Sequence, residues 1–179
     1  MELPTLGRYA LGYLAGFSVF LLAVPYGLYK VAKTLNGPAL ASYPIRLVVA
    51  LPLGIMGLLF ALWSNVALLF QGQGGPTDLF NVAISPRTKH LVVTGPYRFT
   101  RNPMVFGAFS FYVALAVYWN SLPALGILAA FLVLITFYLR WFEEKRLLQD
   151  FGQEYEAYRQ AVPMIVPWPF GKRRPEERI

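Results

Sequence analysis

Long uncharged blocks alternate with short charged stretches along this chain. Tyr9 to Tyr29 carries no charge, nor does Leu47 to Thr77, nor Asn102 to Leu139. A helix needs about 20 apolar residues to cross a bilayer, so the first two blocks predict one span each. The third runs for 38 residues, about 57 Å as a single helix, against a hydrocarbon core of ~30 Å. It breaks at Asn120-Ser121-Leu122-Pro123, a turn-forming cluster. The pattern predicts a tight hairpin of two short spans, Met104–Trp119 and Pro123–Phe142, and an all-α integral membrane fold of four transmembrane helices.

Beyond the hairpin the period changes. Leu147, Phe151, Tyr155, Tyr158 and Val162 recur at spacings of three and four between Glu143 and Val162. They predict an amphipathic helix lying at the membrane interface, bent by Gly152. Three prolines then exclude regular helix from Val162 to Pro169, which reads as an extended strap carrying an interfacial Trp168. The whole chain, 1–179, reads as one membrane domain. Two spans occupy 1–70, a polar loop 71–101, the hairpin, amphipathic helix and strap 102–167, and a charged tail 168–179. The loop is punctuated by Gly74-Gly75-Pro76, Ser85-Pro86 and Gly95-Pro96. Loops this long are uncommon unless they are functional or disordered. The run His90 to Thr94 is apolar enough to be ordered.

Composition sharpens this picture. Apolar residues make up 56% and charged residues 14% of the chain, well below the ~25% charged content of soluble domains. The absence of cysteine excludes disulfides, thiolate nucleophiles and zinc–thiolate sites. The single histidine, His90, excludes bis-histidine haem. A net charge of +7 lies in loops and tail and is not a nucleic-acid footprint. Arg87, Lys89, Arg98 and Arg101 sit in the long loop, a further cluster follows Arg140, and the turn at Asn120–Pro123 has none. The positive-inside rule therefore predicts cytoplasmic termini and a cytoplasmic long loop. Lys30, Lys33 and Arg46 run against that rule.

Two stretches carry candidate chemistry. In Gly95-Pro-Tyr-Arg-Phe-Thr-Arg-Asn-Pro-Met-Val-Phe-Gly107, Asn102 is a good helix N-cap and Pro103 suits the first helical position. Capping does not account for Tyr97, Arg98 and Arg101 in front of it. A helix N-terminus beside arginines favours a carboxylate ligand. In Arg140-Trp-Phe-Glu143-Glu144, one reading is a solvated helix end with Arg140 and Glu144 paired at i, i+4. The other is that one of the two carboxylates, set ~100° apart on a helix, faces the hairpin and loop. Ionisable groups at membrane depth are functional candidates.

Taken in order, these pieces resemble the isoprenylcysteine carboxyl methyltransferase family and its relatives among phospholipid N-methyltransferases. That family shows Gly-Pro-Tyr, Arg-His-Pro-x-Tyr-x-Gly, an uncharged hairpin, Glu-Glu-x-x-Leu, a Phe-Gly-x-x-Tyr-x-x-Tyr run and a proline strap. The resemblance covers Lys89 to Pro167. It departs at Asn102, where many members have histidine, and at Val105, where most have tyrosine. It implies S-adenosylmethionine as cofactor, with Lys89, His90, Leu91, Val92 and Tyr97 in the cofactor wall. Arg101, Asn102, Pro103, Met104 and Val105 would form the pocket floor, and Glu143 or Glu144 would be the cofactor-binding acid. Arg140 falls near an arginine that faces a substrate carboxylate. The partners implied are the bilayer and a lipophilic or prenylated small-molecule acceptor. Two rivals stand beside this reading: a sterol reductase of similar membrane fold using a nicotinamide cofactor, and a scaffold that has lost turnover.

Overall fold

A computed structural model describes residues 3–35, 37–73, 78–79, 82–83 and 88–167. Helix α1 (Leu3–Ser18) passes through a π turn, Val19–Ala23, into α2 (Val24–Thr34). Helix α3 (Tyr43–Ala67) ends in a second π turn, Leu68–Gly72, stopped by Gln73 at φ 50°. Helices α4 (Pro103–Tyr118) and α5 (Leu122–Tyr138) are linked through Trp119–Ser121, and α5 continues through a third π turn, Leu139–Glu143, into α6 (Glu144–Ala161). The described residues are otherwise helical or irregular, apart from a two-residue antiparallel ladder of Asp78–Leu79 with Val82–Ala83. Three helical stretches are long and apolar enough to cross a membrane: Gly12–Thr34, Tyr43–Gly72 and Leu122–Ala161. The apolar helix α4 is shorter.

Small residues set the central contact. A Cβ added at Gly57 of α3 would lie 2.5 Å from the Phe111 amide nitrogen, and one at Gly107 of α4 would lie 2.6 Å from that of Ala61. Backbone meets backbone at this antiparallel crossing, the close approach that small residues give membrane helices. Gly54 against Ala114 extends the seam. Leu28, Tyr112, Ala116, Ala124 and Leu128 form a buried cluster joining α2, α4 and α5.

The first π turn has an identifiable partner. In its register the Val24 N–H bonds back to the Val19 carbonyl. The next donor in that register would be residue 25, and Pro25 has no N–H. The Phe20 carbonyl instead accepts from the Tyr112 hydroxyl of α4 at 3.2 Å.

At one end of the molecule the α2–α3 loop meets the α4–α5 link. The Asn120 side chain accepts from the Leu40 amide at 2.9 Å. Arg46 donates to the Tyr118 carbonyl at 2.8 Å, a basic side chain closing a helix C-terminus. Ser121 caps α5 by accepting from Ala124 N at 3.2 Å.

The amphipathic helix is not a separate interfacial element. No proline or glycine interrupts the sequence between Tyr138 and Phe151, so α5 runs on into α6 until Gly152 kinks it at φ 53°, ψ −127°. The expectations for Gly74-Gly75-Pro76, Ser85-Pro86, Arg87, Trp168 and the charged tail fall outside the described residues.

Candidate functional site

The site is built where the long loop, the start of α4 and the α5–α6 junction meet. Gly95, at φ 59°, turns the loop so tightly that a Cβ would come within 3.3 Å of the Trp63 indole nitrogen. The turn that follows buries Pro96 and Tyr97. Val92, Tyr97, Tyr155, Tyr158 and Val162 pack into one apolar cluster with Ala67. The Tyr158 hydroxyl donates to the Tyr97 carbonyl at 2.7 Å, fastening α6 to the loop. Burial pushes the Tyr97 hydroxyl pKa up, which keeps that side chain neutral.

The kink at Gly152 returns the second half of α6 over the loop. There Arg101 Nη1 donates to Glu144 Oε1 in an ion pair buried on both sides, and the Tyr155 hydroxyl lies 3.5 Å from the same nitrogen. Arg159 approaches the other Glu144 oxygen at 3.8 Å and binds Glu156 at 2.8 Å. The i, i+4 pairing of Arg140 with Glu144 that helix spacing suggested is thus replaced by a pair that spans the fold. Glu143 is more open and meets Arg146 at 3.6 Å.

The strap fastens the end of the loop that leads into α4. Arg101 N donates to the Pro163 carbonyl at 2.9 Å. The Met164 carbonyl accepts from Asn102 N at 3.1 Å, from Thr100 Oγ1 at 3.1 Å and from Asn102 Nδ2 at 2.9 Å. Asn102 makes no side-chain cap to α4. Its amide is turned to the strap, so the expected N-cap is replaced by a tertiary hydrogen bond.

Between these parts lies a cavity of about 200 Å³. Of the residues singled out in the sequence, His90, Leu91, Val92, Tyr97, Arg101, Asn102, Pro103, Met104, Val105, Glu143 and Glu144 line it. Lys89 and Arg140 are exposed and outside the lining. Leu68, Thr88, Leu139, Arg146, Leu147, Asp150, Phe151, Tyr155 and Tyr158 also line it. The 147–158 stripe has a visible period but reads as one face of an amphipathic interfacial helix and not as part of the site. Nothing in the sequence marks Leu68 or Thr88. Two π turns, Leu68–Gly72 and Leu139–Glu143, border the cavity, and such turns recur at functional sites. Among the described residues no group of His, Cys, Asp and Glu is arranged to hold a metal ion.

The profile of a family described as phospholipid methyltransferase matches residues 45–154. The chain belongs to the phospholipid methyltransferase family. The matched span runs from the start of α3 into α6, so all of the cavity lining except Tyr155 and Tyr158 falls inside the phospholipid methyltransferase region. The sequence resemblance to membrane methyltransferases is borne out at this level. A relative is Methanethiol S-methyltransferase 2 of Bradyrhizobium diazoefficiens, 36% identical over 84 residues. That alignment covers 46% of this chain and 30% of the relative. No solved structure matches the chain.

Proposed function

We propose that the chain is an integral membrane methyltransferase that uses S-adenosylmethionine and acts on a lipophilic acceptor entering from the bilayer. The observation that carries this reading is the cavity, which gathers the carboxylates of Glu143 and Glu144, the guanidinium of Arg101 and the first turn of α4 beside apolar helices. A zwitterionic amino-acid cofactor needs such a set. Its ammonium suits a carboxylate, and Glu143 is the one with the more distant partner. Its carboxylate suits the first-turn amides of α4 at Met104 and Val105, which have no intrahelical acceptor. The buried Nε of Arg101 has no hydrogen-bond partner among the described residues, so that wall has unfilled donor capacity.

When bound, the cofactor supplies a methyl group by in-line displacement from its sulfonium. The protein's share is to hold donor and acceptor in line and to keep water out. Leu68, Val105 and Leu139 give the cavity an apolar side suited to that. The family description supports a phospholipid as acceptor, the relative's name a thiol, and the motif resemblance an isoprenylcysteine-like carboxylate or a lipid amine. Arg140, exposed outside the lining, gains no support as a substrate contact.

Helix α4 is proposed as a fourth span, packed along α3, with both termini and the long loop cytoplasmic. The meeting of the α2–α3 loop with the α4–α5 link at one end supports an even number of crossings.

Calorimetry with S-adenosylhomocysteine in detergent tests the reading. The wild type binds, and Glu143→Gln weakens binding by about 1.5–3 kcal/mol, the range for a hydrogen bond to a charged group. A wild type that takes a reduced nicotinamide dinucleotide instead, or neither ligand, sinks the proposal.

A further inference from the structure

The end of the molecule opposite the cavity carries cations that the reaction does not use. Lys30 and Lys33 are exposed on the last turns of α2, and Arg46 sits at the start of α3 beside the α4–α5 link. No acidic residue occurs between Glu2 and Asp78, nor between Asn102 and Leu139. These three charges therefore have no carboxylate on their own end among the described residues. They also defy the positive-inside pattern in the orientation proposed above.

Beside the two lysines is an open cleft of about 690 Å³, lined by Leu21, Leu22, Pro25, Tyr26, Tyr29 and Trp119 and almost wholly apolar. It lies along the π turn Val19–Ala23 and its proline. Charge and cleft are physically continuous. The Lys30 ammonium stands 5.5 Å from the Tyr26 ring centre and that of Lys33 5.7 Å from the Tyr29 ring. Tyr29 in turn meets Trp119 edge-on at 5.5 Å. Aromatic rings in contact with the cations, and an apolar groove running on from them, suit one occupant.

We propose that this cleft is a binding site for a phospholipid with an anionic headgroup. One acyl chain lies along the π turn, and the headgroup phosphate lies between Lys30 and Lys33. The site is separate from the cavity and independent of the methyl-transfer reading.

The test uses the full chain in nanodiscs, with Trp119 fluorescence quenched by brominated-chain phosphatidylglycerol or phosphatidylcholine. The Trp119→Phe variant isolates the Trp119 signal. Wild type shows stronger quenching by the phosphatidylglycerol. Each lysine changed to glutamine lowers that preference about fivefold, the ~1 kcal/mol that a basic residue contributes near an anionic surface. The pair Arg98→Gln and Lys145→Gln, at the other end, leaves it unchanged. Equal quenching by both lipids in wild type overturns the proposal. So does a preference that survives Lys30→Gln with Lys33→Gln, or one abolished by the pair at the other end.

Discussion

The two adjacent carboxylates have different partners. Glu144 is buried between Arg101 and Arg159, and removing one partner of such a pair strands the other charge. Glu143 lines the same cavity with a looser ion pair, to Arg146 at 3.6 Å, which makes it the cleaner probe of ligand binding. At Asn102 the structure changes the expected behaviour. A capping asparagine would tolerate aspartate, but here the amide N–H₂ holds the Met164 carbonyl. An aspartate has no donor and would face that oxygen with a charge. Asn102→Asp should lower stability by about 0.5–1.5 kcal/mol, the worth of one of the three hydrogen bonds that this carbonyl accepts. A melting curve in detergent checks this. A normal melt would mean that the amide does not hold the strap.

Among the elements, the helices were largely legible and their irregularities were not. Asn102-Pro103 marks the start of α4, and the turn cluster at 120–123 marks its end. The first uncharged block runs from α1 into α2, the second holds most of α3, and the third contains α4 and α5. Gly152 announced the bend in α6. The π turns were not read from the sequence; the first one depends on the Tyr112 hydroxyl reaching the Phe20 carbonyl across the fold. Nor could local sequence show that Arg101 reaches Glu144 or that Met164 gathers three donors, since these contacts join segments far apart in the chain. For the site, motif order located most of the lining, while Leu68 and Thr88 needed the fold. The π turn before Pro25 offers a test at this scale. Tyr112→Phe leaves the Phe20 carbonyl without its donor and should cost about 1–2 kcal/mol, the upper end for hydrogen bonds between membrane helices. In a Pro25→Ala background, which restores a local N–H, the same change should cost less. Unfolding titrations of the four variants in detergent give the comparison, and equal costs in both backgrounds would reject the role given to Tyr112.

For the whole molecule, the proposed topology predicts which surfaces reagents can reach. Ser121 is buried and caps α5, so a label there would report burial rather than sidedness. Leu40, exposed at the same end, and Gln149, exposed on α6, are the better pair. With cysteines placed singly at each, an impermeant maleimide added outside cells should modify position 40 and spare position 149. The reverse pattern would invert the orientation.

The glycine crossing has a further consequence. Where Gly57 and Gly107 bring two backbones together, no side chain remains to swing aside, and the α3–α4 pair behaves as a stator. Two walls of the cavity, Leu68 on one helix and Met104 on the other, hang from that rigid pair. Exchange of bound molecules then falls to the third wall. The arm beyond Gly152, tied down by the Tyr158 hydroxyl, forms that wall, so on the function proposed above its fastening, and not the bundle, would gate exchange.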